Sequence, residues 1–506
     1  MTSTAFGDLA IKDERQLDEI TTRIEDSSYY NKDLAPAGPS RRTWSTWNIA
    51  AMWIGMSVVI TTYTLASGLM VAGMNWWQAL LTISLGNLIV LIPMLLNAHA
   101  GTRFGIPFPV FVRASFGLRG ANLAAIARAL VACGWFGIQT WLGGLALDAL
   151  MVQLWGGWDD FTGHRAITFG VFWVIQVAII WRGIEGIRIL ESWAAPLLIG
   201  VGIALLIWGF TEAGGVGVVF DESARLQGEG GLGFWTLFWP GLAANVGYWA
   251  TLSLNIPDFT RFARSQKSQM VGQAIGLPLS MIAFSFIGIA VTAATVVIYG
   301  EAIWDPIALI AQIGTPGLII LAMIVIVIAQ ITTNMAANVV APSNDFSNLV
   351  PTKISFRTGG VITAIIGIIM FPWAIYENAG QYIFTWLVGY GSLLGAIGAV
   401  MIVDYWVLRK ERLDIVDLYR ADGRYWYRSG FNPIAIIAVL VAVIPVVPGF
   451  IEAATTPSFG GFADPNIFER FYTYGFGFTF LVAAAVYYVG MRVMALRGEP
   501  ELAPEA

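Results

Sequence analysis

The chain has 506 residues with a formal net charge of −5, and 57% of it is hydrophobic against 12% charged, about half the charged share of a soluble globular domain. That balance excludes a nucleic-acid-binding surface and points to a chain embedded in a lipid bilayer. The single cysteine, Cys133, lies in an apolar run, so an intramolecular disulfide framework is excluded and the thiol reads as a small packing group.

The first 34 residues are polar and acidic. They lack the basic start and short apolar core of a cleaved signal peptide, so the first span is expected to direct insertion. Charge-free stretches then run 43–102, 268–300, 306–344, 378–403, 429–451 and 471–491, each able to hold at least one helix of the roughly 20 apolar residues that cross a hydrocarbon core. Apolar runs set against Gly, Pro and charged breaks predict twelve transmembrane helices at 47–70, 76–96, 123–151, 167–181, 194–209, 234–254, 274–298, 317–340, 361–375, 382–408, 433–450 and 472–494. With the N-terminus inside, connections after even-numbered spans hold sixteen Lys and Arg, from Arg103 and Arg113 through Arg188 to Arg428, whereas those after odd-numbered spans hold only Arg165, Arg225 and Arg470. Basic residues concentrate in cytoplasmic loops, so the expectation is an inner (cytoplasmic) membrane protein with both termini inside.

Few charges fall within the spans. Arg128 lies about two turns before Trp135 and either snorkels to the interface or takes part in gating or coupling. His99, ending the second span, and His164, in an outer loop, read as interfacial. The longest polar segments, 1–42, 221–231 and 409–428, are too short for a separate enzyme core. Metal-ligand clusters, phosphate loops and nucleophile elbows are not visible in the sequence, so no enzyme, no cofactor and no obligatory protein partner is expected. Energy would come from an ion gradient unless the protein is a passive channel.

Transporters place substrate and ion sites where membrane helices break. The first span carries Gly55-Met56-Ser57-Val58-Val59 and the sixth, five spans later, carries Asn245-Val246-Gly247-Tyr248-Trp249. That pairing fits an inverted five-helix repeat, although such glycines also serve close helix packing. In the third span, Trp135 and Gln139 are four residues apart on one helix face. An indole platform beside an amide suits a flat ring with alternating N–H and C=O groups, while packing or lipid contact is the ordinary use of tryptophan. Trp135 and Trp249 would hold the two ring faces, and Gln139 and Asn338 would read its edge. The eighth span ends in Gln330, Thr332, Thr333, Asn334 and Asn338 after an aliphatic run. Thr332 and Thr333 offer oxygen ligands for a hard cation such as sodium, or hydrogen bonds between helices.

These residues also carry a resemblance. Trp44 to Arg428 resembles the nucleobase:cation symporter family of hydantoin, allantoin, uracil and purine permeases. The likeness runs through Gly105-Ile106-Pro107-Phe108-Pro109-Val110-Phe111-Val112-Arg113, the third-span motif, Asn255-Ile256-Pro257-Asp258-Phe259-Thr260-Arg261, Ala336-Ala337-Asn338 and Asp404-Tyr405-Trp406. The resemblance implies an all-α, LeuT-like fold with a 5+5 inverted repeat and two peripheral helices. It divides the chain into a tail (1–43), first repeat (44–212), second repeat (213–408), connection (409–432), peripheral spans (433–494) and C-terminal tail (495–506).

It further implies substrate contacts at Trp135, Gln139, Trp249 and Asn338, and a sodium site at Gly55, Val58, Ala329, Thr332 and Thr333, the first three through carbonyl oxygens. Two departures adjoin the pocket: Val59 stands where a hydantoin permease has glutamine, and Tyr248 where it has glycine. The Asn255 motif is closer to the allantoin and uracil branch. The expected function is therefore cation-coupled import of a small planar nitrogen heterocycle. The threonine pair favours sodium, and proton coupling or a purine, pyrimidine or vitamin cargo is the alternative. An amino-acid symporter of the same fold fits less well, because the predicted pocket has neutral amides and flat aromatics.

Overall fold

The computed structural model describes residues 9–182, 188–228, 233–456, 462 and 464–496; the side chains at 188–192, 222, 223, 225–228 and 496 also lie outside the described set. The sequence assignments of Arg188, Arg225 and most of the C-terminal tail therefore fall on undescribed residues or side chains. Among the described residues regular structure is helical, apart from two isolated backbone bridges. In chain order the helices are α1 (Glu14–Ile24), α2 (Thr46–Ser57), α3 (Ile60–Val71), α4 (Trp76–Phe104), α5 (Ala121–Leu154), α6 (His164–Arg182), α7 (Arg188–Glu212), α8 (Val216–Gly228) and α9 (Phe234–Tyr248). There follow α10 (Ala250–Asn255), α11 (Gln266–Tyr299), α12 (Pro306–Ile313), α13 (Pro316–Asn338), α14 (Val340–Leu349), α15 (Phe356–Ile369), α16 (Gln381–Leu408), α17 (Pro433–Thr455) and α18 (Ile467–Leu496).

Every predicted span is helical, but the count of clear crossings is lower than twelve. Nine helices among the described residues are long and apolar enough to cross a membrane, or ten if the bent pair α2 and α3 is one span. Two predicted spans fall short. The sixth is split by Trp249 into helices of 15 and 6 residues, and α15 has 14 residues, about 21 Å of helix against a core of about 30 Å.

The breaks follow from the chain. A capping box of Ser45 and Asn48 starts α2, but Val58 (φ −84°, ψ 79°) makes a tight turn closed by Val59 N on Ser57 O and Val59 is extended (ψ 156°), before α3 resumes at a bend of 56°. The β-branched side chain of Val59 suits that extended geometry. Trp249, at φ −102° and ψ 6°, separates α9 from α10. Val339 offsets α13 from α14, so the eighth span runs on to Leu349 rather than ending near 340. The start of α16, Gln381–Leu387, winds as a π-helix, a form concentrated at functional sites.

In the packing, α11 lies against α2, α3 and α4, α5 lies against α13, α14 and α15, and α16 lies against α18. The broken α9 reaches α16 at Gly247, where an added Cβ would sit 2.4 Å from the Leu387 carbonyl oxygen. Leu279, Leu321, Ile444 and Leu481 face outward, as a surface solvated by lipid tails allows.

One end of the bundle is built from the family-like motifs. Phe108 N donates to Asp258 Oδ1 at 2.8 Å, joining the loop after α4 to the segment after α10. Burial raises the Asp258 carboxyl above its usual range, against the opposing charge of Arg261. Arg113, fully buried, donates to Leu418 O, Tyr29 O and Asn348 Oδ1; burial lowers its guanidinium to about 10, which leaves it charged at neutral pH. The N-terminal segment straps this end. Ala10 N donates to Arg103 O, Asn31 to Pro351 O, Arg42 to Thr102 O, and Tyr419 OH to Leu34 O; Ile11, Ile24 and Leu34 are buried beneath.

One sequence reading is corrected here. Arg128 does not snorkel: its side chain is fully buried and pairs with the equally buried Asp345 at 3.0 Å. The continuation of α14 past Val339 brings that carboxylate into reach. His99, read as interfacial, is fully buried against protein, with Nδ1 at 2.9 Å from Tyr405 OH and Nε2 at 3.8 Å from Glu411 of the polar connection. His164 opens α6 and pairs with Asp148 at 2.7 Å. Cys133 is buried and free.

Candidate functional site

Beside the helix breaks, one cavity is lined by Trp135 and Gln139 of α5, Tyr248, Trp249 and Leu252 at the α9–α10 break, Met56 of α2, and Thr333 and Asn338 of α13. Its volume is about 30 Å³, room for one or two waters.

Each indole is fixed through its N–H. Trp249 Nε1 donates to Asn87 Oδ1 at 2.9 Å, and Trp135 Nε1 to Tyr390 OH at 3.1 Å. With the polar edges engaged, the rings offer apolar faces. Tyr248 meets both edge-on, its centroid 5.2 Å from Trp135 and 4.9 Å from Trp249, and its hydroxyl lies 2.8 and 3.0 Å from Thr61 and Thr62 of α3. Gln139 Oε1 is buried without a hydrogen-bond partner, the kind of orphan that a buried site tolerates when a ligand answers it. Asn338 Nδ2 donates to Asn334 Oδ1 at 2.9 Å.

The residues read as a cation site lie where α2 packs on α13. Val58, Ala329 and Thr332 are buried, Gly55 is half-buried with open space where a Cβ would be, and Thr333 lines the cavity. Thr332 Oγ1 donates back to Ile328 O and Ala329 O, which leaves its lone pairs available. Val58 itself faces a separate apolar groove between α2, α7 and α11. Val59 is buried in the extended break but does not line the cavity.

Sequence reasoning missed several residues here. Ser57 Oγ, at the end of α2, is buried and without a partner, an extra oxygen beside Val58. Asn87, Tyr390 and the α3 threonines hold the aromatic walls, but they come from distant helices and no local spacing announces them. Trp386 and Tyr390, 5.0 Å apart, extend the aromatic set onto α16.

Broken helices around a small aromatic and amide cavity, in a helical membrane bundle, define a secondary transporter of LeuT-like fold. Residues 36–471 match the sequence profile of the family described as permeases for cytosine/purines, uracil, thiamine and allantoin. The chain belongs to this nucleobase:cation symport family, and is a transporter rather than an enzyme. It is 43% identical to a purine-uracil permease of Arabidopsis thaliana over 92% of this chain and 78% of the relative. An allantoin permease of Bacillus subtilis is 39% identical over 82% and 86%. Among solved structures, a nucleobase-cation-symport-1 family transporter, closed with bromovinylhydantoin bound, is similar at a TM-score of 0.76 and 26% identity, covering 94% of this chain and 98% of its own. A sodium-coupled sialic acid symporter shares the fold at 0.60 and 15% identity, over 94% and 96%.

Proposed function

We propose that the protein is a secondary active symporter that imports a small planar nitrogen heterocycle, with allantoin, uracil and hydantoin as the first candidates, coupled to sodium by alternating access. The observation that carries this reading is the convergence of Trp135, Gln139, Trp249 and Asn338 on one small cavity. Two indole faces suit a flat ring, and two neutral amides suit its N–H and C=O edge. The permeases for purines, uracil and allantoin among its relatives support the cargo class. In this reading the ion lies among the carbonyl oxygens of Gly55, Val58 and Ala329 and the hydroxyls of Thr332 and Thr333, and Ser57 adds a sixth oxygen. Ion binding favours the outward-open form, the ring then bridges the two repeats, and α16 closes over it. Coupling needs unequal ion affinity between the two states, since equal affinity shifts nothing.

The twelve-span count, the five-plus-five repeat and the orientation belong to the same proposal. The two short helical segments complete twelve crossings, the breaks at Val58 and Trp249 are the symmetric pair, and the strapped end faces the cytoplasm of an inner membrane. The test is uptake of labelled allantoin, uracil and benzyl-hydantoin by cells expressing the protein, with and without sodium and across pH. Trp135→Ala should raise KM about 5- to 150-fold, the equivalent of about 1–3 kcal/mol of lost stacking. Wild-type uptake rates in both Trp135→Ala and Asn338→Ala would refute the site. Uptake indifferent to sodium but driven by acid outside would make the proton the coupling ion.

A further inference from the structure

Behind the cavity, four buried side chains on three helices form one hydrogen-bonded chain. Thr140 on α5 donates its hydroxyl to Phe136 O at 2.6 Å, so its oxygen can only accept from others. Gln176 Nε2 on α6 meets it at 2.9 Å. That turns Gln176 Oε1 toward α13, where it accepts from Asn334 Nδ2 at 2.7 Å. The same Asn334 nitrogen donates to Phe136 O at 3.0 Å and lies 3.3 Å from Thr140 Oγ1. Thr140, Gln176 and Asn334 are fully buried.

The direction of this chain is forced. A backbone carbonyl cannot donate, so the amide nitrogen of Asn334 must face Phe136, and rotating that amide by half a turn would set oxygen against oxygen. Asn334 Oδ1 therefore points the other way, toward Asn338, which answers with Nδ2 at 2.9 Å. Asn338 lines the cavity and, among the described residues, makes no other side-chain hydrogen bond, so its carbonyl oxygen is left for the ligand.

We infer that Thr140, Gln176 and Asn334 are positioning residues that fix the polarity of Asn338, so that the site takes rings presenting an N–H at that edge and rejects rings in which that nitrogen is methylated. The inference rests on the heterocycle reading above. The energetic reason is that a fixed buried acceptor facing an N-methyl group loses its hydrogen bond outright, whereas an amide free to turn can swing its oxygen toward another donor and loses less.

The test is competition. Whichever of uracil, allantoin or hydantoin the full-length protein takes up best is used as label, and each of its N-methyl derivatives as competitor. In the wild type, one N-methyl derivative should compete about tenfold or more weakly than the parent ring. In Asn334→Leu and in the near-isosteric Thr140→Val that gap should shrink to about threefold or less, while Thr140→Ser, which keeps the hydroxyl, should preserve it. Loss of folding lowers total uptake but not this ratio, so a structural role alone leaves the gap intact. An unchanged gap in Asn334→Leu, or N-methyl derivatives competing as well as the parent in the wild type, overturns the inference. A wild-type protein that takes up none of the three rings overturns the functional reading instead.

Discussion

Tyr248 forms part of the cavity wall. Its ring contacts both indoles and its hydroxyl is anchored on Thr61 and Thr62, so it occupies space that a glycine would leave to the cargo. Tyr248→Gly should admit rings with bulky substituents, lowering the half-inhibitory concentration of 5-benzyl-hydantoin by about tenfold. The loss of two hydrogen bonds, each contributing about 1 kcal/mol, should reduce thermal stability. Competition assays on both proteins decide it, and an unchanged preference for small rings in the variant would show that Tyr248 does not limit size. Much of this site was legible at the residue scale. Indoles and neutral amides in apolar spans are conspicuous by type, and the matching motifs singled out Trp135, Gln139, Trp249 and Asn338. Their supports were not, because Asn87 lies 162 positions from Trp249 and Tyr390 lies 255 from Trp135, and no local periodicity carries a pairing across such a distance.

Helix breaks were legible for a physical reason: glycine and polar residues interrupt runs that are otherwise aliphatic, and a β-branched residue such as Val59 prefers extended backbone. The continuation of the eighth span through α14 is less legible, because Ser343, Asn344, Asp345, Ser347 and Asn348 make it polar and only packing against α5 accounts for a buried helix there. The Arg128–Asp345 pair follows from that continuation, with partners 217 positions apart. Arg128 Nε and Nη2 and Asp345 Oδ1 have no hydrogen-bond partner among the described residues. Arg128→Ala should destabilise the protein by about 3–5 kcal/mol, since it leaves an unpaired buried carboxylate, whereas the double variant Arg128→Met with Asp345→Leu should regain most of that loss. Thermal unfolding of the purified protein in detergent reads both. A double variant as unstable as the single one would mean that the pair is needed for more than mutual neutralisation.

At the scale of the molecule, the bilayer dictates the outside and the motifs dictate one end. Leucine and isoleucine face outward on α11, α13, α17 and α18, while the loops bearing Phe108, Asp258, Arg113 and Tyr419 interlock beneath residues 10–42. Arg113→Leu should weaken that strap, because it strands the carbonyl oxygens of Tyr29 and Leu418 at about 1–3 kcal/mol for each unsatisfied group. Faster cleavage of the N-terminal segment by added protease would register the weakening, and unaltered protection would argue against it. The strap also imposes an order on biogenesis. Leu34 is translated 385 positions before Tyr419, whose hydroxyl it receives. The leading segment therefore cannot make this contact until the chain has been translated through Tyr419, after seven of the nine clear crossings among the described residues and the bent pair α2–α3. That one contact is necessarily a late event in assembly, and it ties the start of the chain to a connection made near its end.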